Sequence, residues 1–400
     1  MTGGPPLDPP VYRPFARLAF ASVLLLGAPL GIWMAARSAS AQALWLHAAV
    51  QIFGFFGTLI VGVAHHLLPR FTGRPVRGTA LTPWLFDALV VAILLRVVGF
   101  ETPTAAVAGA ALHALAFATF AAWVWRALDP PPLRLLRVHL TLSGAWLAAA
   151  AALEAGLRAR GGGAPDSAGM QAVYAMALVG GVLGWVLGVL LRAGPMFVRD
   201  WRVPVALARA TPAALAVSVG LGVAAAFAGA RAASWARAAD VVAFATLAAA
   251  VVAAGALRRS RGALPMLSRT VPESRILRIA VASVLAGLAL SLWALALGAE
   301  APRALTDAAR HLLAIGVVGS VVVAMSFRLI PVLDGRPLPW PALRAVASWA
   351  LTGAVVLRTA QVIAPLGWLA VSPLVAASGA LAWLAFACAG ISLVVDQGRR

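Results

Sequence analysis

The chain has 400 residues, is 62% hydrophobic and only 11% charged, and has a mean hydropathy of +0.92. A soluble domain has too little interior to hide that much apolar surface, so the composition assigns the chain to a lipid bilayer. The net charge of +19 is carried by Arg alone, with no Lys, and these arginines sit beside apolar runs as membrane topology requires, not on a face for nucleic acid.

Apolar runs of about twenty residues, enough to cross ~30 Å of hydrocarbon, recur along the whole chain. Twelve are predicted: 15–36, 43–68, 81–100, 104–126, 135–158, 169–193, 203–229, 236–257, 275–298, 305–330, 341–363 and 367–394. In lipid such runs satisfy their backbone internally only as helices. The expected fold is an all-α, polytopic membrane helix bundle forming a single transmembrane domain over residues 1–400.

Helix 1 is followed by "ARSASAQA", which resembles a signal-peptidase site; its length and the basic, Pro-rich segment before it favour retention. Helix 2 reads "LWLHAAVQIFGFFGTLIVGVAHHLLPRF" and holds His47 near one end and His65 and His66 near the other. Eighteen residues separate His47 from His65, roughly 27 Å of helix, so one metal cannot bind both. They share a polar stripe with Gln51, Gly54 and Thr58, which lipid would turn inward. Arg96 lies toward the end of helix 3 and His113 in the same half of helix 4. His139 opens helix 5 at the level of His65 and His66; these three are either a second metal set or snorkelled interface residues. Helix 6, from Gly169 to Leu191, has no His. His311 is near the start of helix 10 and Arg358 toward the end of helix 11. Cys388, the single cysteine, cannot form an internal disulfide, and without C-x-x-C-H any haem is held non-covalently.

The loops after helices 2, 4, 6, 8 and 10 carry "RFTGRPVR", "LRLLR", "VRDWR", "RRSRG…SR" and "GRPLPWPALR", whereas those after helices 3 and 11 carry no Arg. This asymmetry predicts a multi-pass protein of the bacterial inner membrane with both termini cytoplasmic and His47 and His311 toward the outside.

An internal repeat underlies the pattern. "QIFGFFGTLIVGVAHHLLPRFTGRP" matches "LLAIGVVGSVVVAMSFRLIPVLDGRP" at an offset of 262, placing Gly54, Gly57, Pro69, Gly73, Arg74 and Pro75 on Gly316, Gly319, Pro331, Gly335, Arg336 and Pro337. A fainter copy at an offset of 126 puts Gly54, Gly62 and Pro69 on Gly180, Gly188 and Pro195. Helices 2, 6 and 10 thus head three four-helix pseudo-repeats, about 15–126, 135–257 and 275–394. The glycines permit close helix contact or clear room for a flat macrocycle.

In that alignment His311 falls two residues from His47, so the two imidazoles sit at nearly equal depth on repeat-related helices. Imidazole is the usual nitrogen ligand of iron and copper, and such a pair suits one haem or a shared copper ion. The alternative for each is a bond to a backbone carbonyl. Arg96 and Arg358 are related by the same offset of 262, and a guanidinium fork suits a haem propionate; snorkelling, or a pair with Asp87 or Glu101, is the alternative. His113 is a candidate third metal ligand.

At these residues "RHLLAIGVVGSVVVAMSFRLIPVLDGRP" resembles the C-terminal signature of the NnrS family, through His311, Gly316, Gly319, Arg328, Gly335 and Arg336. "LHAAVQIFGF" is similar to the family's N-terminal segment at His47, Phe53 and Gly54, and departs from it at Ala49 and Val50, as does Leu333 near the C-terminal signature. The resemblance implies a haem- and copper-containing membrane protein linked to nitric oxide stress. The departures weaken the case for copper more than for haem. The twelve-helix layout also resembles haem–copper oxidase catalytic subunits, but a helix 6 without His leaves no full copper site. Two other readings stand beside this one: a transporter whose Arg and His line a path for an anion or metal, and a degenerate oxidase-like protein without cofactor.

Overall fold

In a computed structural model, residues 11–37, 40–73, 81–161, 166–197, 202–255, 272–334, 340–362 and 371–394 are described. The predicted helices are all present, and no strand occurs among the described residues. They are α1 Tyr12–Ala36, α2 Ala41–Thr72, α3 Leu81–Val98, α4 Pro103–Ala127, α5 Pro131–Gly161, α6 Ala168–Gly194, α7 Val205–Ala225, α8 Ala232–Ala253, α9 Pro272–Leu297, α10 Arg303–Arg328, α11 Pro341–Ala360 and α12 Val371–Val394. All but α11 are long and apolar enough to cross a membrane. The exception has 20 residues and carries Arg344 and Arg358. This is a multi-pass membrane protein. Most of the basic loops used to predict its orientation, 74–80, 198–201, 256–271 and 335–339, lie outside the described residues.

Burial separates the helices into two classes. The apolar stretches of α2, α6 and α10 are 72%, 83% and 67% buried, whereas no other spanning helix exceeds 50%. The three repeat heads therefore form the interior, with the remaining helices packed around them. The outer helices show large exposed apolar side chains, Leu25, Leu94, Val217 and Trp349 among them. In water such a surface would aggregate; in a bilayer it is the solvated face. α12 packs along α1, joining the last helix to the first.

The heads also share an irregularity. Each winds as a wider π-helix through its middle: Val50–Gly57 in α2, Ala175–Leu183 in α6 and Leu312–Gly319 in α10. Offsets of 262 and 126 carry the first onto the third without shift and onto the second within one residue. Thr58 donates to the Phe53 carbonyl at 3.3 Å and Ser320 to the Ile315 carbonyl at 3.3 Å, two equivalent hydroxyls reaching five residues back across the widened turn. The π segment of α6 packs against those of α2 and α10. π turns are rare in helices and collect where a site must be shaped.

Small residues set the spacing around them. A Cβ on Gly57 would come within 2.6 Å of Phe117 Cζ in α4, and one on Gly319 within 3.1 Å of Phe386 Cζ in α12. The heads α2 and α10 thus each lay a glycine of the π segment on a phenylalanine of the fourth helix of their own unit, whereas the α6 glycines Gly180 and Gly181 face Trp146 and Leu147 of α5.

Candidate cofactor site

The head helices begin at the same end of the bundle, where the structure gathers buried polar side chains into groups. One surrounds His47. A further π turn in α1, Val23–Gly27, ends at Gly27, whose carbonyl accepts from His47 Nδ1 at 2.7 Å. Gly31, one turn on, leaves room for the ring, since a Cβ there would lie 2.6 Å from His47 Cε1. His311 lies within electrostatic reach of His47, as do Arg358 and Asp307. His311 Nδ1 is bonded in turn to the Asp307 carbonyl at 2.9 Å, with the Asp307 carboxylate 3.2 Å away. Arg358 donates to Gln361 Oε1 at 2.9 Å and lies 3.6 Å from Asp307 Oδ2; Gln361 Nε2 donates to that same oxygen at 2.9 Å. The sequence-predicted pair and Arg358 are therefore brought together.

This geometry fixes the tautomers. An Nδ1–H held by a backbone carbonyl leaves Nε2 with its lone pair free, the arrangement that metal-binding histidines use. Neither His47 Nε2 nor His311 Nε2 has a hydrogen-bond partner among the described residues. Arg358 Nε is buried without a partner as well, so the guanidinium keeps a donor in hand. Two imidazoles and one such Arg fit the donor set of a haem: nitrogen for iron, a cation for a propionate.

Arg96 and His113 belong elsewhere. Arg96 Nη1 donates to Glu154 Oε1 at 2.6 Å and its Nε to His113 Nδ1 at 2.9 Å; the guanidinium stands 4.8 Å over the Phe53 ring. Arg158 Nε and Trp45 Nε1 donate to the same Glu154 oxygen, at 2.9 Å and 2.6 Å. The sequence offered Asp87 or Glu101 as partners for Arg96; the structure supplies Glu154. His113 Nδ1 is engaged by the Arg96 Nε–H and is not open to a metal. No group of three or more His, Cys, Asp or Glu side chains placed to hold a metal ion occurs among the described residues.

The histidines at the far end are separate from one another. His65 donates from Nδ1 to the Val61 carbonyl at 2.8 Å and stacks on Trp123 with ring centroids 4.1 Å apart. His66 meets the edge of Tyr12, and His139 Nε2 is bonded to the Ala208 carbonyl at 2.9 Å.

Glu154, Trp45, Asp307 and Gln361 are functional neighbours that sequence reading passed over. Their signals were present. Glu154 and Arg158 stand four apart inside an apolar run, and Asp307 and His311 repeat that spacing in α10. Trp45, Gln171 and Asp307 also occupy one repeat position, at offsets of 126 and 262. Each bonds a neighbouring segment: Trp45 to Glu154 of α5, Gln171 to Arg310 of α10, and Asp307 to Gln361 just beyond α11. The NnrS protein family profile matches residues 10–395 of the chain. No curated protein matches it.

Proposed function

The chain belongs to the NnrS family, and from that premise we propose that it is a haem-binding membrane protein acting in the response to nitric oxide or metal stress. His47 and His311 are the iron ligands in this reading, and Arg358 meets a propionate. The observation that carries it is the pair of imidazoles on repeat-related helices, each oriented by a backbone carbonyl and lying within electrostatic reach of the other and of Arg358. His47 and His311 would each offer an imidazole nitrogen to a haem iron; a copper site of three imidazoles is not supported by His113 as it stands. When bound, haem iron supplies a coordination site for a small diatomic gas. The chain's own part is to hold the imidazoles and balance a propionate between α1, α2, α10 and α11.

The Arg-rich loops favour the bacterial inner membrane as location, with both termini in the cytoplasm and the haem toward the outside. A visible absorption spectrum of the protein purified from haem-sufficient cells tests the reading. A Soret band with near-stoichiometric haem by pyridine haemochrome supports it; a colourless, folded protein that takes up no added haem refutes it.

A further inference from the structure

A second polar site lies at the same end of the bundle, on the other flank of α2. Trp45, Arg96 and Arg158, with Gln42, Phe100 and Ala106, line a cleft of about 10 Å³, the room of roughly one water-sized particle. Gln42 bonds the Gly99 and Phe100 carbonyls at the turn between α3 and α4, fixing one wall. Arg96 is 4% exposed and Arg158 5%, and Glu154 between them is fully buried.

The charges do not balance. Two guanidinium groups face one carboxylate; three donors converge on its Oε1, and its Oε2 is buried without a partner of its own. His113 adds no negative charge, because it is the acceptor of the Arg96 Nε–H. Arg96 Nη2 and Arg158 Nη1 are buried with no hydrogen-bond partner. A buried cation that keeps unpaired N–H groups is expensive, and the expense falls on two residues that line one cleft. The outer pair of repeats places an Arg at equivalent positions; among the described residues Arg96 shares its carboxylate with a second Arg, whereas Arg358 shares its carboxylate with Gln361.

We infer that the cleft between Arg96 and Arg158 is a binding site for a small monovalent anion, coordinated by the two unpaired guanidinium N–H groups. The cleft has room for one atom of such an anion: a halide, or one oxygen of formate, nitrite or nitrate with the rest of the ion at the cleft's mouth. The planar fork of a guanidinium favours the oxyanions, which accept two parallel bonds. The site stands apart from His47 and His311 and does not rest on the presence of haem.

The test is thermal unfolding of the detergent-purified full-length protein in the sodium salts of chloride, formate, nitrite and nitrate. Gluconate at equal ionic strength serves as a bulky control, and all salts are read at one pH. The small anions should raise the midpoint saturably above gluconate, the oxyanions at lower concentration than chloride. Arg158→Gln should abolish the difference between salts. Glu154→Gln removes the competing carboxylate and should do the opposite, lowering the half-saturating anion concentration roughly tenfold, the scale of one charge-assisted hydrogen bond. Equal midpoints in all salts for the wild-type protein would overturn the inference. So would an anion dependence that is the same in wild type, Arg158→Gln and Glu154→Gln.

Discussion

At the scale of single residues, the same side chain does different work according to which backbone carbonyl it meets. His47 and His311 each give Nδ1–H to a carbonyl and present Nε2, whereas His113 spends its Nδ1 lone pair on Arg96. Sequence spacing grouped His47, His311 and Arg358 because all three ride on the repeat, and in the structure they lie within electrostatic reach of one another. It grouped Arg96 and His113 with them because depth in the membrane is legible from spacing, and direction around a helix axis is not. Glu154 is the residue on which the second group turns. Glu154→Gln leaves Arg96 and Arg158 buried without a carboxylate and should cost about 3 kcal/mol of stability in an anion-free buffer. Urea or SDS titration of the purified variant against wild type reads that loss, and a change below 0.5 kcal/mol (about the scale of an exposed pair) would show that the group is wetter than its burial states.

At the scale of elements, the departures from ideal helix are the informative part. A hydropathy scan sees α2, α6 and α10 as uniform apolar rods, and it placed them well. It has no means of seeing that each opens into a π segment at one register, because the widening depends on how neighbouring helices crowd the glycines and hydroxyls there. The glycine repeat pointed to the place without naming the conformation. Gly57 and Gly319 are equivalent in sequence, yet the space behind them differs: 2.6 Å to Phe117 against 3.1 Å to Phe386 for an added Cβ. Gly57→Ala should therefore destabilise by roughly 1–3 kcal/mol, and Gly319→Ala by clearly less, since a few tenths of an ångström of ring movement suffices there. Thermal unfolding of the two variants side by side decides it; equal losses would mean that the π segments yield together rather than one packing contact at a time.

At the scale of the whole molecule, three buried heads inside a ring of lipid-facing helices explain why so polar a set of side chains survives in so apolar a chain. The polar groups sit where heads meet their neighbours, away from lipid, at the end where α2, α6 and α10 begin. That layout was readable from the repeat and from twelve apolar runs. The sidedness rests on arginine placement, and it predicts that a cysteine introduced beside Arg74 is protected from membrane-impermeant maleimide in intact cells while one near Glu101 is labelled; the reverse pattern would invert the map. The central claim, that His47 and His311 hold a haem between repeat-related helices, is met most directly by the visible absorption spectra of the purified wild-type, His47→Ala, His311→Ala and His65→Ala proteins, normalised to protein. The account predicts a Soret band in wild type that is lost or shifted in the first two variants and kept in His65→Ala, whose ring lies roughly 27 Å along the helix from His47. A wild-type spectrum retained in both His47→Ala and His311→Ala would contradict it.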